Sequence, residues 1–217
     1  MTQRAQIFVI DDHALVRLGM RQLLDAEPDL HVCGEAEDLP TALARLAERT
    51  PDLILLDLSL GHADGLDALK QLRGERPDLR VLVITTHDER VYGERVIRAG
   101  ALGYVMKAAP AEELLAGIRK AIRDELAVSA TLAEQLLSGR GLGPRPPASP
   151  LEQLSDRELE VFKLIAQGLS TRDIAAALAI SAKTVETHQF NLRAKLGAAS
   201  THQLRHLAFT WLSNLSK

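Results

Sequence analysis

The chain has 217 residues, of which 46% are hydrophobic, and a formal net charge of −3 at pH 7. This length suits one large domain or two small ones, and the overall charge indicates neither a nucleic acid nor a membrane as partner. The only cysteine is Cys33, which excludes an internal disulfide and a cysteine-rich metal site and fits a reducing compartment. No signal-peptide core precedes Ile7, and no apolar run approaches the ~20 residues of a membrane span. We therefore expect a soluble cytoplasmic protein that does not bind membranes.

The charge is unevenly distributed along the chain. Residues 1–150 carry 18 lysines and arginines against 23 acids, whereas residues 151–217 carry 8 against 6. A slightly basic C-terminal part on an acidic body is a weak indication that the C-terminal part binds a polyanion.

Short apolar runs alternate with helical patterns in the first half of the chain. Helical spacing follows each apolar run, and proline or glycine closes most of the helical patterns. This alternation predicts a doubly wound α/β fold with a five-stranded parallel sheet. The runs of strand type are at residues 7–10, 31–36, 53–56, 81–84 and 103–106.

Reactive side chains follow four of these five strands. Asp11 and Asp12 follow the first, Asp57 the third, Thr85 the fourth and Lys107 the fifth. The carboxyl ends of parallel strands border the crevice in which α/β sheets bind ligands. Clustered carboxylates need a cation between them, and oxygen ligands of this kind suit Mg²⁺. A carboxylate can also accept a phosphoryl group, although an ordinary sheet with solvated acids is the alternative.

The motifs at these strand ends resemble the receiver domain of two-component response regulators, with a flavodoxin-like fold. The resemblance covers residues 5–124. The motifs that carry it are Ile10-Asp11-Asp12, Leu56-Asp57, Asp64-Gly65, Ile84-Thr85-Thr86 and Tyr104-Val105-Met106-Lys107.

This resemblance implies a role for each of the reactive groups. Asp57 is expected to be the phosphoacceptor, and Lys107 is expected to contact the phosphoryl group. Thr85 and Tyr104 are expected to be the switch pair that responds to phosphorylation. The expected Mg²⁺ ligands are Asp11, Asp12, Asp57 and the backbone carbonyl of Ser59. One departure is Leu60-Gly61-His62, where the family usually has Met-Pro-Gly; loss of the proline frees the loop backbone but removes no reactive group.

Residues 125–150 are predicted to connect two domains. A short helix is expected at 129–137, and the glycine- and proline-rich run 139–150 lacks any periodicity, which is typical of an extended linker. The predicted domains are therefore 1–124 and 151–217.

The second domain is predicted to be a small all-α domain of four helices. Its helical patterns lie at residues 155–168, 170–179, 183–196 and 200–215. The second and third helices are joined by a tight turn, and the third carries basic and amide side chains, which favours a helix-turn-helix with its recognition helix second. A four-helix bundle of another purpose also fits this spacing.

The sequence motifs of this domain resemble those of the LuxR-type DNA-binding domain. With the receiver resemblance, it indicates a response regulator of the NarL/FixJ family. This implies a sensor histidine kinase as phosphoryl donor, double-stranded DNA with two half-sites as target, and a homodimer when phosphorylated. Phosphorylation is expected to promote dimerisation, unmask the DNA-binding domain, or both. The motifs are Leu154–Val161, Ile165–Ser170, Asp173–Ala175, Ile180–His188 and Asn191–Gly197.

The third helix is predicted to present its polar side to DNA. Val185, His188, Leu192 and Leu196 share one face by their spacing, so His188 is expected to pack inward. Lysine and arginine suit phosphates, glutamine and threonine suit base edges. Phe190 is expected either to touch a thymine methyl or to lie against a neighbouring helix. The candidate DNA-binding residues are Lys183, Thr184, Thr187, Gln189, Phe190, Arg193 and Lys195.

Two other classes of function stay open at the level of sequence. An aspartyl-phosphate phosphatase commonly needs a second acid two residues after the nucleophile, and Ser59 stands there, so an enzyme is disfavoured. A phosphotransfer or interaction module whose C-terminal helices bind protein is the second alternative. In the last helix, an apolar stripe centred on Trp211 is expected either to supply a dimer contact or only to close its own domain.

Overall fold

The computed structural model describes residues 4–60, 63–138 and 150–215. The chain divides into two compact units, Met1–Gly143 and Pro144–Lys217. The departure at 61–62 and residues 139–149 of the glycine- and proline-rich run lie outside the described residues. Within the described ranges, no helix is long and apolar enough to cross a membrane.

A five-stranded parallel sheet forms the centre of the first unit, with strand order β2-β1-β3-β6-β7. Its two central strands, β3 and β6, are short, buried along their whole length and apolar except for Thr85 at the end of β6, as expected for a sheet covered by helices. A small antiparallel pair, β4 with β5, follows β3 and was not predicted. The strands are β1 Ala5–Ile10, β2 Leu30–Ala36, β3 Leu53–Leu56, β4 Ser59–Leu60, β5 Ala63–Asp64, β6 Val81–Thr85 and β7 Gly103–Met106.

Strand register aligns the carboxyl ends of the central strands. Ile10 of β1 pairs with Leu56 of β3, which pairs with Val83 of β6. Asp11 and Asp57 each follow one of these paired residues directly, so their side chains leave the sheet next to each other. The predicted doubly wound fold is confirmed, and its order explains how residues distant in sequence meet.

Helices cover both faces of this sheet. Asp38 and Asp88 cap two of them by accepting hydrogen bonds from Thr41 N and Arg90 N. One helix begins at Gly65, where an added Cβ would lie 2.2 Å from Leu58 Cα, so Asp64-Gly65 marks a close approach as well as a turn. The helices are α1 Ala14–Asp25, α2 Leu39–Leu46, α3 Gly65–Glu75, α4 Glu89–Arg98 and α5 Ala111–Ile122.

The first unit continues beyond the predicted boundary at residue 124. Ala127 forms a parallel bridge with Gly103 of β7: its N–H donates to Leu102 O at 2.8 Å, and its carbonyl accepts from Tyr104 N at 2.9 Å. Helix α6, Ala130–Ser138, then packs on α4, with Leu132 fully buried. The short helix that was expected in the linker is therefore docked on the first domain.

Five helical segments lie between residues 150 and 215, the described part of the second unit. Ser155 and Ser170 each form a capping box at the start of a helix, Ser181 caps the next, and Gly197 ends that helix with φ 66°. The Trp211 ring packs 5.6 Å from that of Phe162, so Trp211 closes its own domain. The segments are a 3₁₀ helix Pro150–Gln153, α7 Asp156–Ala166, α8 Thr171–Ala177, α9 Ala182–Leu196 and α10 Thr201–Leu215.

Candidate functional site

An acidic cluster lies at the carboxyl edge of the sheet. Asp57 and Asp11 are 2% and 3% exposed, whereas Asp12 is half-buried. One ligand atom from each of Asp11, Asp12, Asp57 and His13 lies within 4.8 Å of the others. The strand ends thus bring together the three carboxylates that the sequence singled out. His13 is an addition that sequence reasoning missed, although it directly follows the two acids.

Lys107 joins this cluster from the end of β7. Its Nζ lies 2.7 Å from Asp57 Oδ2 and 2.6 Å from Asp11 Oδ2. Burial lowers the pKa of Lys107, but its hydrogen bonds to Asp11 and Asp57 outweigh burial and raise the pKa above the usual value. Burial raises the pKa of Asp57, and the hydrogen bond from Lys107 opposes that shift. The ammonium is therefore held protonated between two carboxylates.

The cluster has the chemistry of a divalent-cation site. Its donors are mostly hard carboxylate oxygens, which Mg²⁺ prefers. Asp57 Oδ1 is buried and accepts no hydrogen bond from the described residues, so it keeps a free lone pair within the cluster. The residues present therefore fit Mg²⁺. Ser59 lies two residues after Asp57 in β4, and its carbonyl stays a predicted ligand.

The expected switch pair is buried beside the cluster. Thr85 is fully buried at the end of β6, and its Oγ1 accepts a hydrogen bond from His87 N at 3.3 Å. Tyr104 is also buried, and its hydroxyl donates to His87 O at 2.6 Å. Burial raises the pKa of Tyr104, which keeps the phenol protonated as a donor. Both side chains are thus hydrogen-bonded to the backbone of His87, in the loop after β6.

His87 is a second residue that the sequence did not single out. In addition to its backbone contacts with Thr85 and Tyr104, its Nε2 lies 3.3 Å from Ser59 Oγ. Its ring stacks on Tyr92 of α4, with centroids 4.8 Å apart. His87 therefore connects the loop after Asp57, the switch pair and α4. The available signal was its position two residues after Thr85 at a strand end.

The exposed side of α9 carries most of the candidate DNA-binding residues. Lys183, Thr184, Thr187 and Phe190 are exposed, and Thr187 Oγ1 donates to Lys183 O at 3.0 Å. Arg193 is half-buried, with its guanidinium carbon 5.8 Å from the centroid of the Phe190 ring. Phe190 is 63% exposed, which favours the predicted contact with DNA over burial against a neighbouring helix.

The outward placement of Gln189 is wrong. Its side chain is only 9% exposed, and its Nε2 donates to Thr171 Oγ1 at 3.2 Å. Val185, Gln189 and Leu192 are spaced by four and three residues, so they share the buried face of α9. His188 is rotated towards the edge of that face and is half-buried.

Lys195 is engaged inside its own domain. Its Nζ lies 2.6 Å from Glu158 Oε2 and donates to Gln153 O at 3.1 Å. Glu158 is buried at the start of α7, and this burial raises its pKa. The hydrogen bonds from Lys195 and Ser155 outweigh burial and lower the pKa below the usual value. The predicted contact between Lys195 and DNA would have to compete with this pair.

Comparison with known proteins matches both units to described families. Residues 7–119 match the response regulator receiver domain, and residues 152–208 match the luxR family of bacterial regulatory proteins. The transcriptional regulatory protein LiaR of Bacillus subtilis (strain 168) is 39% identical over 201 residues, covering 91% of this chain and 93% of LiaR. The oxygen regulatory protein NreC of Staphylococcus aureus (strain bovine RF122 / ET3-1) is 35% identical over 204 residues, covering 92% and 94%.

A likeness in fold extends to a solved structure. RcsB from Salmonella enterica serovar Typhimurium, bound to promoter rprA in the presence of the phosphomimetic BeF3-, aligns with a TM-score of 0.75 at 24% identity. The alignment covers 94% of this chain and 98% of the RcsB chain.

Proposed function

This chain belongs to the response regulators that join a receiver domain to a luxR-family domain, and from that premise we propose that phosphorylation of Asp57 controls its binding to DNA. Members of this family are DNA-binding transcription regulators of two-component systems, not enzymes, and the chain is one of them. The observation that carries the proposal is the buried Asp57 carboxylate, with one oxygen held by Lys107 and the other without a hydrogen bond from the described residues.

The phosphoryl donor is a sensor histidine kinase. One carboxylate oxygen of Asp57 attacks the phosphorus of the kinase phosphohistidine, and the phosphorus–nitrogen bond breaks. The imidazole leaves with the bonding electron pair and takes a proton from solvent. Lys107, already 2.7 Å from Asp57 Oδ2, offsets the negative charge that the phosphoryl group adds.

Asp11, Asp12, Asp57 and the carbonyl of Ser59 are the groups proposed to hold Mg²⁺. When bound, the ion neutralises charge on the phosphoryl oxygens and the carboxylates. Asp11 has a further role, since its Oδ1 accepts a hydrogen bond from His13 N at 2.8 Å and fixes the loop before α1. Thr85 and Tyr104 respond to the phosphoryl group through His87, to which both are attached.

The exposed side of α9 is proposed to bind double-stranded promoter DNA. Lys183 and Arg193 suit phosphates, and Thr184 and Thr187 suit base edges or phosphates.

RcsB is seen as dimers on DNA, and we propose a homodimer on two half-sites for this chain when it is phosphorylated. Dimerisation raises the effective concentration of the second DNA-binding domain, and partial masking before phosphorylation adds to this control. A cytoplasmic location follows, because promoter DNA lies there.

Phosphorylation of the intact protein tests this proposal. After treatment with acetyl phosphate and Mg²⁺, mass spectrometry should show one added phosphoryl group on the wild type and none on Asp57→Ala. Asp67→Ala, which changes an exposed acid on α3, is the matched control and should gain the phosphoryl group normally. Chelation of Mg²⁺ should suppress the gain in the wild type. Equal phosphorylation of Asp57→Ala would refute the assignment.

A further inference from the structure

Phe190 is an apolar side chain left in solvent on an otherwise polar surface. It is 63% exposed, so most of the ring surface is open to solvent. Lys183 and Thr187 lie seven and three residues before it on the same side of α9. With a rise of 1.5 Å per residue, these three side chains follow a strip about 10 Å long.

Arg193 holds the ring next to a positive charge. Its guanidinium carbon is 5.8 Å from the ring centroid, within the roughly 6 Å range of a cation–π contact. Lys183, 87% exposed at the other end of the strip, supplies a second cation, and its Nζ lies 3.8 Å from Oε2 of the exposed Glu186 in the free protein. The strip therefore offers an apolar centre between two cations, which matches a polyanion that has an apolar group between its charged ends.

The major groove of DNA has one such group. The C5 methyl of thymine is the apolar atom on a base-pair edge there, between two phosphate strands. A phenyl ring neither donates nor accepts a strong hydrogen bond, so it selects a base by this methyl group and not by the donor–acceptor pattern. We propose that Phe190 reads a thymine methyl in each half-site of the operator. This inference rests on the DNA binding proposed above.

Replacement of thymine by deoxyuracil removes that methyl group and nothing else. Duplexes are first selected from a random pool with the full-length, acetyl-phosphate-treated protein. Each thymine of the selected duplex is then replaced in turn by deoxyuracil, and affinity is measured at one salt concentration. Wild-type protein should lose about fourfold at one thymine per half-site, the factor expected for burial of one methyl group.

Substitution of Phe190 assigns the effect to this residue. Phe190→Ala should bind the thymine and uracil duplexes equally, because the contact is already absent. Phe209→Ala is the matched control: Phe209 is 65% exposed on α10 of the same domain, and this variant should keep the wild-type ratio between the two duplexes. If Phe190→Ala binds too weakly to measure, Phe190→Leu must show a smaller ratio than the wild type.

Three results overturn the inference. Wild-type affinity that is insensitive to uracil at every thymine shows that no methyl is read. Equal sensitivity in the wild type and in both Phe190 variants shows that another residue reads it, and leaves Phe190 to a protein partner. Failure to recover any duplex in the selection overturns the proposed DNA binding as well, whereas uracil-insensitive binding overturns this inference alone.

Discussion

The acidic cluster and the exposed face of α9 differ in how their side chains are positioned. Asp11 and Asp57 are buried and Lys107 is half-buried at the ends of strands, and hydrogen bonds fix them before any partner arrives. On α9, Lys183 and Phe190 project into solvent, and DNA would order them on binding. Strand order specifies the first site, whereas helical rotation specifies the second. A small error in rotation moves a side chain from the surface to the core, as Gln189 shows.

Removal of Lys107 tests the prearranged site most strongly. Lys107→Ala leaves Asp11 and Asp57 buried without their cation, and we expect unfolding free energy to fall by about 3–5 kcal/mol in the absence of divalent ions. Added Mg²⁺ should recover part of that loss because it replaces the ammonium. Denaturant titration with and without Mg²⁺ measures both effects.

Lys70→Ala is the control for this comparison, because Lys70 pairs with Asp67 on the surface of α3 at 3.5 Å. Its effect should stay within about 0.5 kcal/mol. A Lys107→Ala variant as stable as the wild type without Mg²⁺ would mean that the cluster is not held by this ion pair.

Two lysines of α9 should separate stability from DNA binding. Lys195→Ala loses its pair with the buried Glu158, so unfolding free energy should fall by about 2 kcal/mol at neutral pH. Lys183→Ala should leave stability unchanged, weaken binding to all sequences, and reduce the salt dependence by about 0.9 in the log–log slope. Thermal unfolding measures the stability of both variants, and DNA titrations at several salt concentrations measure their affinity and salt slope. A large change in the salt slope for Lys195→Ala would place that side chain on DNA after all.

The pair between Lys195 and Glu158 also has a pH signature. The folded protein lowers the pKa of Glu158 below its ordinary value of 4.5, so the stabilisation is present above that value. It is lost as the pH falls through the lower, folded value. Lys195→Ala should therefore remove part of the acid-induced loss of stability below pH 4.5, as urea titrations at pH 3–7 would reveal.

The smallest effect concerns Gln189. Gln189→Ala removes the hydrogen bond to Thr171 and should reduce stability by about 1 kcal/mol without altering base preference. Thr187→Ala, on the exposed side, should alter DNA binding without altering stability. Selection of duplexes with each variant decides the matter: a changed base preference for Gln189→Ala would restore the outward placement.

The positions of the reactive residues at the strand ends could be predicted from the sequence, because short apolar runs bounded by polar residues define where each strand ends. It was not sufficient for His87, whose backbone contacts with Thr85 and Tyr104 depend on the path of the loop after β6. The packing of α6 on α4 also could not be predicted from the sequence. It depends on Leu132 lying over Gly93, where an added Cβ would be 2.7 Å from a Leu132 methyl carbon. Such fits arise between segments and have no pattern within either one.

The bridge formed by Ala127 bears on how copies of the protein can associate. β7 is an outer strand, and an uncovered outer strand is a template for pairing with the backbone of another molecule. Ala127 occupies backbone groups at this margin, next to Leu102 and Tyr104. At the opposite margin, guanidinium groups of Arg45 and Arg49 donate to carbonyls of Glu35 and Cys33 in β2. With both margins partly occupied from within the chain, growth of the sheet into a fibre or a shared intermolecular sheet is disfavoured.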